Sequence, residues 1–244
     1  MVAGRNTKQT SQGVRYNLPA CRRVADITYA AFAHLPRYIV PGITEHQLAW
    51  RMGQLLRAQG SQQRAFPVIA AFGSSAAEPH HRCTSRRLKI GEMIKVDAGG
   101  VYQHMRGDVT RTYFLGKPTT VFTKRFNAVL KAQQLAYKQI KAGKTGNDVD
   151  AAARNYLRSQ KLHVHFIHSL GHGVGRAIHQ PPFLSPARKG QRVLNVGEVV
   201  TDEPGIYEAG WGGIRLEDMV EITKQGGRWL GQPVRSIKEI TLLV

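Results

Sequence analysis

Two cysteines in 244 residues, Cys21 and Cys83, are too few and too far apart for a disulfide framework. They form no CxxC pair, so a thiolate zinc site is not expected either, and a reducing compartment fits. Long apolar runs are missing as well. Nothing approaches the roughly 20 residues of a membrane span, and the opening MVAGRNTKQTSQGVRY is polar and basic without the apolar stretch of a secretory signal. The expectation is a cytoplasmic protein with no membrane partner. Acids are the third scarcity: 16 Asp plus Glu against 35 Lys plus Arg leave a formal charge of +19. The surplus is scattered singly and in pairs such as Arg22-Arg23 and Arg86-Arg87, with no block of about five or six together. It reads as a generally basic surface or as a face for nucleic acid or an acidic protein.

What the chain does have is enough apolar content, 42% of its residues, for one large domain or two modest ones with a real core. It also carries a faint internal repeat at a spacing of about a hundred residues. Each half begins with a helix-like apolar pattern of period 3.6, CRRVADITYAAFAHL and then FTKRFNAVLKAQQLAYKQI. Each pattern is followed by a glycine and a threonine, Thr44 or Thr145, suited to cap the next helix. Later in each half a strand is introduced by Gly-Glu, GEMIKVDAGG from Gly91 and GEVVTDEPG from Gly197. The spacing predicts helices near 18–35, 44–59, 123–141 and 146–160, and strands near 66–72, 92–98, 108–115, 165–170, 198–203, 213–223 and 236–243. The expected fold class is α+β, a curved and mainly antiparallel sheet with helices outside, built from two pseudo-symmetric halves.

The repeat aligns Asp97 with Glu203, and each of these acids is followed by a strand with another, Asp108 and Glu217. Carboxylates on strands are rarely buried unless paired or metal-bound, and four in two related pairs can converge where the halves join. Three histidines lie together in HSLGHGVGRAIHQPP: His168, His172 and His179. Their glycines would weaken a helix or a buried strand, so they are read as letting the backbone come close to something.

These residues match a known family. The segments FPVIAAFGSSAAEPHH, IKVDAGGVYQHMRGDVTRTYF, HSLGHGVGRAIHQPP, VVTDEPGIY and GIRLEDMVEIT, in that order, resemble the pita-bread metallopeptidases: aminopeptidase P, prolidase and methionine aminopeptidase. The match runs from about residue 20 to 244, a single metallopeptidase catalytic domain preceded by an N-terminal extension over 1–19. The resemblance implies five metal ligands, Asp97, Asp108, His172, Glu203 and Glu217. The first acid binds one ion, Asp108 and Glu217 bridge two, and His172 with Glu203 completes the other. It also implies contact of His80 and His179 with the substrate carbonyl or tetrahedral intermediate, Glu203 as proton shuttle, and His168 and Arg215 at the substrate. His80 is preferred to His81 on the family spacing to Leu88, and His34, His46, His81, His104, His163 and His165 are read as surface or structural. An oxygen-rich set with one imidazole suits two divalent ions, Mn²⁺ before Co²⁺ or Zn²⁺.

Within the family, Arg215 and Asp218 beside Glu217 follow the proline-directed branch, so the expected reaction is hydrolysis of Xaa-Pro bonds, as an aminopeptidase or a dipeptidase. Those enzymes commonly carry an N-terminal domain, which the roughly 20 residues before the first helix do not supply. A peptide is the expected partner, with a homodimer implied by the resemblance alone. The alternatives are a non-catalytic or dual-function basic module that binds nucleic acid or acidic protein, and a methionine-aminopeptidase-like activity. A creatinase-like reaction is disfavoured, because such enzymes work without the metal pair. Two other signals fail: AGKTG lacks the first glycine of a phosphate loop, and a Cys83 and His80 nucleophile pair is outweighed by the metal ligands. Three departures from the family pattern stand near the site, Asp202, Arg176 and Gln180; Asp202 is expected to point away from Glu203 and add a charge beneath it.

Overall fold

Two short sequences repeat as structure, and they set the frame. Thr44 and Thr145 each accept the N3 backbone N–H of the helix they start, while Gln47 and Asp148 reach back to the cap residue. Just before them Gly42 and Gly143 hold φ of +86° and +88°, and their N–H groups bond the carbonyls of Leu88 and Leu194. The Gly-Glu pairs repeat as closely. Glu92 takes Arg86 and the N–H of Lys89, and Glu198 takes Arg192 and the N–H of Asn195. The computed structural model describes residues 16–243, so most of the segment read as an extension lies outside the described residues.

The first half runs α1 (Leu18–His34), α2 (Glu45–Ala58), β1 (Ile69–Phe72), β2 (Met93–Ala98), the small hairpin β3 (Val101–Tyr102) and β4 (Met105–Arg106), and β5 (Val109–Leu115). The second runs α3 (Thr120–Tyr137), α4 (Gly146–Ser159), β6 (Gly171–Gly173), β7 (Gln180–Leu184), β8 (Val199–Asp202), β9 (Gly205–Glu208), β10 (Gly212–Arg215), β11 (Asp218–Ile222), β12 (Gly227–Trp229) and β13 (Thr241–Leu242). One sheet has the order β1-β2-β5-β13, the other β12-β11-β8-β6-β7, so the antiparallel triplet β1-β2-β5 is matched by β6-β8-β11. The sheets touch where Thr110 and Glu217 exchange backbone bonds of 3.4 and 3.2 Å. This is the α+β architecture expected.

The main core lies between the sheets and the helices, where Phe122 packs tilted against Phe114 and stacked on Phe126, with centroids 4.7 and 5.9 Å apart. Burying a ring such as Phe122 contributes about 1.5–3 kcal/mol. A smaller cluster of Cys21, Val24, Met105, Val199 and Met219 seats α1 against the second sheet. No described helix is long and apolar enough to cross a membrane.

Several boundaries differ from the expectation, each for a physical reason. No strand forms over 165–170. The Arg154 guanidinium binds the carbonyls of Phe166 and His168 at 3.0 and 2.8 Å, and Asp150 accepts the N–H of Leu170, so side chains of α4 take backbone groups a sheet would have used. The strand expected at 213–223 splits into β10 and β11, because Glu217 pairs with Thr110 of the other half. The strand expected at 236–243 is a 3₁₀ turn over Ile237–Ile240 followed by the two residues of β13. β7 was hidden by Pro181 and Pro182, which an outermost strand tolerates. Thr119 caps α3 earlier than expected, its hydroxyl accepting the N–H of Phe122.

Candidate metal centre

Asp97 ends β2 and Asp108 precedes β5, and the chain brings them together through glycine. A Cβ on Gly99 would stand 1.7 Å from the carbonyl oxygen of Gly107, so only glycine lets these backbones pass. The same holds on both sides of His172: a Cβ on Gly171 would meet Thr201 O at 2.1 Å, and one on Gly173 would meet Pro181 O at 2.5 Å. The glycine-rich stretch therefore buys a β6 squeezed between its neighbours, with His172 facing the join of the two sheets. Glu203 follows β8, and Glu217 fills the break between β10 and β11.

One donor atom each from Asp108, His172 and Glu217 lie within 4.8 Å of one another, all three residues buried. His172 Nε2 is 3.2 Å from Glu203 Oε1 and 3.7 Å from Asp108 Oδ2. Asp97 Oδ2 accepts from Arg215 at 2.5 Å, while Asp97 Oδ1 is buried with no hydrogen-bond partner. The electrostatics are those of a site short of positive charge. Burial, and after it the neighbouring carboxylates, push Asp108 and Glu217 well above the ordinary carboxylate range, and burial raises Asp97. Glu203 goes the other way. Burial works to raise it, but the hydrogen bond and charge of His172, helped by His168 and Arg215, outweigh that and hold it at about 2.

The remaining expected residues surround this cluster. Arg215, the last residue of β10, is buried; besides Asp97 it bonds Thr110 Oγ1 and the Tyr207 hydroxyl, both at 2.9 Å, and the Pro79 carbonyl at 3.2 Å. His179 packs edge-on against His172, centroids 4.3 Å apart. His168 Nδ1 lies 2.7 Å from the Ser169 carbonyl, which only accepts, so that nitrogen carries the proton and Nε2, at 3.0 Å, takes the Tyr207 O–H. Burial lowers the His168 pKa and keeps the ring neutral.

All five residues expected as ligands, with His80, His179 and Arg215, line one cleft of about 680 Å³ whose other wall is Trp50, Phe66, Pro67 and Ile178. His168 lines an adjoining cavity of about 280 Å³ that shares His80, His172, His179 and Glu203 with the cleft and is closed by Phe183 and Lys189.

The sequence reading passed over four contributors. Thr110 donates to Glu217 Oε2 at 2.5 Å, and Tyr207 links Arg215 to His168. Lys95 is fully buried under the loop that carries His80, donating to the carbonyls of Ala76 at 3.0 Å and Glu78 at 2.5 Å, with the Tyr207 ring 5.0 Å away. Of the two readings offered for His81, surface or structural, the structure shows the structural one: its ring nitrogens lie 2.9 Å from Glu45 and from Glu78, and Glu45 also takes Phe72 N and Thr84 N. Thr110 and Tyr207 stood in the recognised segments but carried no ligand signature. His46, also set aside, lines the mouth of the cleft. Asp202 points away from Glu203. Burial first, then Asp218 opposite it, raises its pKa well above the usual range, which disfavours the charge expected there, and both its oxygens lack hydrogen-bond partners. Arg176 is exposed, and Gln180 accepts the N–H of Ala177.

Comparison with known proteins places this geometry. The family described as Metallopeptidase family M24 matches residues 19–224. The Xaa-Pro dipeptidase of Pyrococcus furiosus is 36% identical over 199 residues, 82% of this chain and 57% of that protein. Among solved structures, the dipeptidase PepE from Mycobacterium ulcerans superposes with a TM-score of 0.91 at 32% identity, covering 96% of this chain and 62% of that one. The prolidase from Pyrococcus furiosus gives 0.86 at 34%, covering 89% and 64%. The chain thus spans less than two thirds of the length of these relatives.

Proposed function

Since the chain belongs to metallopeptidase family M24, we propose that it holds two divalent metal ions and hydrolyses Xaa-Pro peptide bonds. The observation that carries this reading is the meeting of Asp108, His172 and Glu217 donors within 4.8 Å on the wall of a cleft. The donor set fits the ions: acids too close to ionise together, and an orphaned buried oxygen on Asp97, are what a pair of cations would satisfy. Asp97, Asp108, His172, Glu203 and Glu217 are the proposed ligands, and manganese the proposed metal. When bound, the ions supply an acidified water and a polarised carbonyl.

The chain's own groups do the rest. Glu203, ionised at neutral pH, accepts a proton from the attacking water at Oε1 and returns it to the leaving nitrogen as the C–N bond breaks. His179 and His80 donate to the oxygen that becomes negative. Arg215 holds Asp97 in place, and His168 holds Tyr207. The apolar wall of Trp50, Phe66, Pro67 and Ile178 offers a proline ring a dry surface beside the ligands. The printed names of the relatives, Xaa-Pro dipeptidase and prolidase, favour the same bond.

The test is Mn²⁺-dependent release of proline from Xaa-Pro dipeptides, and of the first residue from Xaa-Pro-Yaa peptides, with Asp108→Ala as control. Cleavage that vanishes in the variant and with chelator supports the reading. A metal-loaded protein that cleaves only Met-initiated peptides would replace it with the methionine-directed one, and failure to bind metal would end it.

A further inference from the structure

Between Asp108 and Asp148 the chain has no carboxylate at all, yet it has eight basic residues. Two of these are committed, Arg111 to Asp218 and Arg125 to Glu208. The others are lysines, and three of them fall seven residues apart and exposed, Lys124 and Lys131 on the side of α3 opposite the buried Phe122, Phe126 and Val129, and Lys138 at its C-cap, still in helical conformation. None of the three forms an ion pair among the described residues. Seven residues advance about 10.5 Å along a helix with almost no change of azimuth, so the ammonium groups form a straight row. Asn127 and Gln134, both exposed, alternate with them.

At its C-terminal end this row runs into a pocket of about 250 Å³ lined by Gln134, Tyr137, Lys138, Trp229 and Arg235. Tyr137 and Trp229 stack there, centroids 4.2 Å apart and planes 10° apart, and both are half-buried. Glu239 accepts the backbone N–H of Arg235 and leaves its guanidinium out of the bond.

We propose that this face is a track for single-stranded nucleic acid, with phosphates along Lys124, Lys131 and Lys138 and a base taken into the Tyr137–Trp229 pocket. The row spacing corresponds to about three nucleotides of a stacked strand at roughly 3.4 Å each. Cationic row and aromatic platform together are what sequence-tolerant single-strand binding uses. A lipid surface fits less well, because the apolar side of α3 is already spent on the core. The track is separate from the metal cleft, whose lining it does not share.

The experiment titrates a labelled single-stranded oligonucleotide of about twenty nucleotides into the whole protein over a salt series, with duplex DNA, heparin and phosphatidylserine vesicles as competitors. Lys124→Gln, Lys131→Gln and Lys138→Gln together should weaken binding at least about tenfold and reduce the slope of log K against log salt by about 2, near 0.7 for each lost phosphate contact. The strand should quench tryptophan fluorescence in the wild type and not in Trp229→Leu. Equal binding by the triple variant would overturn the proposal. So would a preference for duplex or heparin without quenching, or binding to vesicles alone.

Discussion

Thr110 carries no charge, but its one hydroxyl settles two charged neighbours: it accepts from Arg215 Nε and donates its proton to Glu217 Oε2. Being two residues beyond Asp108, it shares the face of that proposed ligand. Thr110→Val keeps shape and burial and removes both bonds, so Mn²⁺ affinity should fall about 10–100-fold with the fold intact. Calorimetric metal titration checks this, and an unchanged affinity would reduce Thr110 to a filler. Its omission from the sequence reading shows what is legible at this scale. Acids and imidazoles that match a recognised order announce themselves; the hydroxyls and phenols that orient them do not. Lys95 is harder still, since a lysine in a strand reads as solvent-facing, and only the Ala76 and Glu78 carbonyls turned toward it explain its burial. Asp202 misleads in the opposite sense, because sequence counts it as a charge and burial pushes its pKa up against that charge.

The loop over 73–83 is the element that presents His80, and it is fixed from two sides, by Lys95 and Arg215 on its carbonyls and by Glu45 through His81. Replacing Lys95 with Met fills the same space but strands those carbonyls, at a cost of about 1–3 kcal/mol. Hydrogen exchange of 73–83 should quicken about tenfold or more while α3 and α4 stay protected; uniform exchange would show that Lys95 does not hold the loop. Glu45 gives this element a pH dependence. Burial opposes its ionisation, but its bonds to His81, Thr84 and Phe72 N win and lower its pKa. A lowered folded-state pKa contributes stability above the unfolded value of about 4.3, and the contribution is lost as pH falls through the folded value. Glu45→Gln should therefore lower the denaturation midpoint at neutral pH, and the gap from wild type should close in acid. Elements like this one were half visible in sequence. The caps, the glycine turns and the Gly-Glu strand starts are local, and they repeat from one half to the other. The absent strand at 165–170 was not visible, because Asp150 and Arg154 on another element decide it.

At the scale of the whole molecule a chain of +19 gathers four of its few acids at the join of its halves, where the two sheets meet at Thr110 and Glu217. Fold and site are therefore coupled: closing the halves without metal favours the protonated forms of Asp108 and Glu217. Their folded-state pKa values are raised, chiefly by burial, so at these two groups the metal-free protein holds more protons folded than unfolded. Such a contribution is complete below the ordinary carboxylate values near 4 and is lost as pH rises through the raised ones. These two groups should thus make the metal-free protein less stable on moving from acid toward neutral pH, against the opposite contributions of Glu45 and Glu203, whose pKa values are lowered. Ligand linkage acts the other way, since Mn²⁺ at a hundred times its dissociation constant adds about 2.7 kcal/mol and competes with those same protons. The gap in melting temperature between loaded and chelator-treated protein should therefore widen with pH, and it should vanish in Asp108→Ala. Thermal scans over a pH series measure it directly. A gap that stays constant with pH would mean that these carboxylates are already ionised without metal, and that Arg215 and His172 suffice to hold the two halves together.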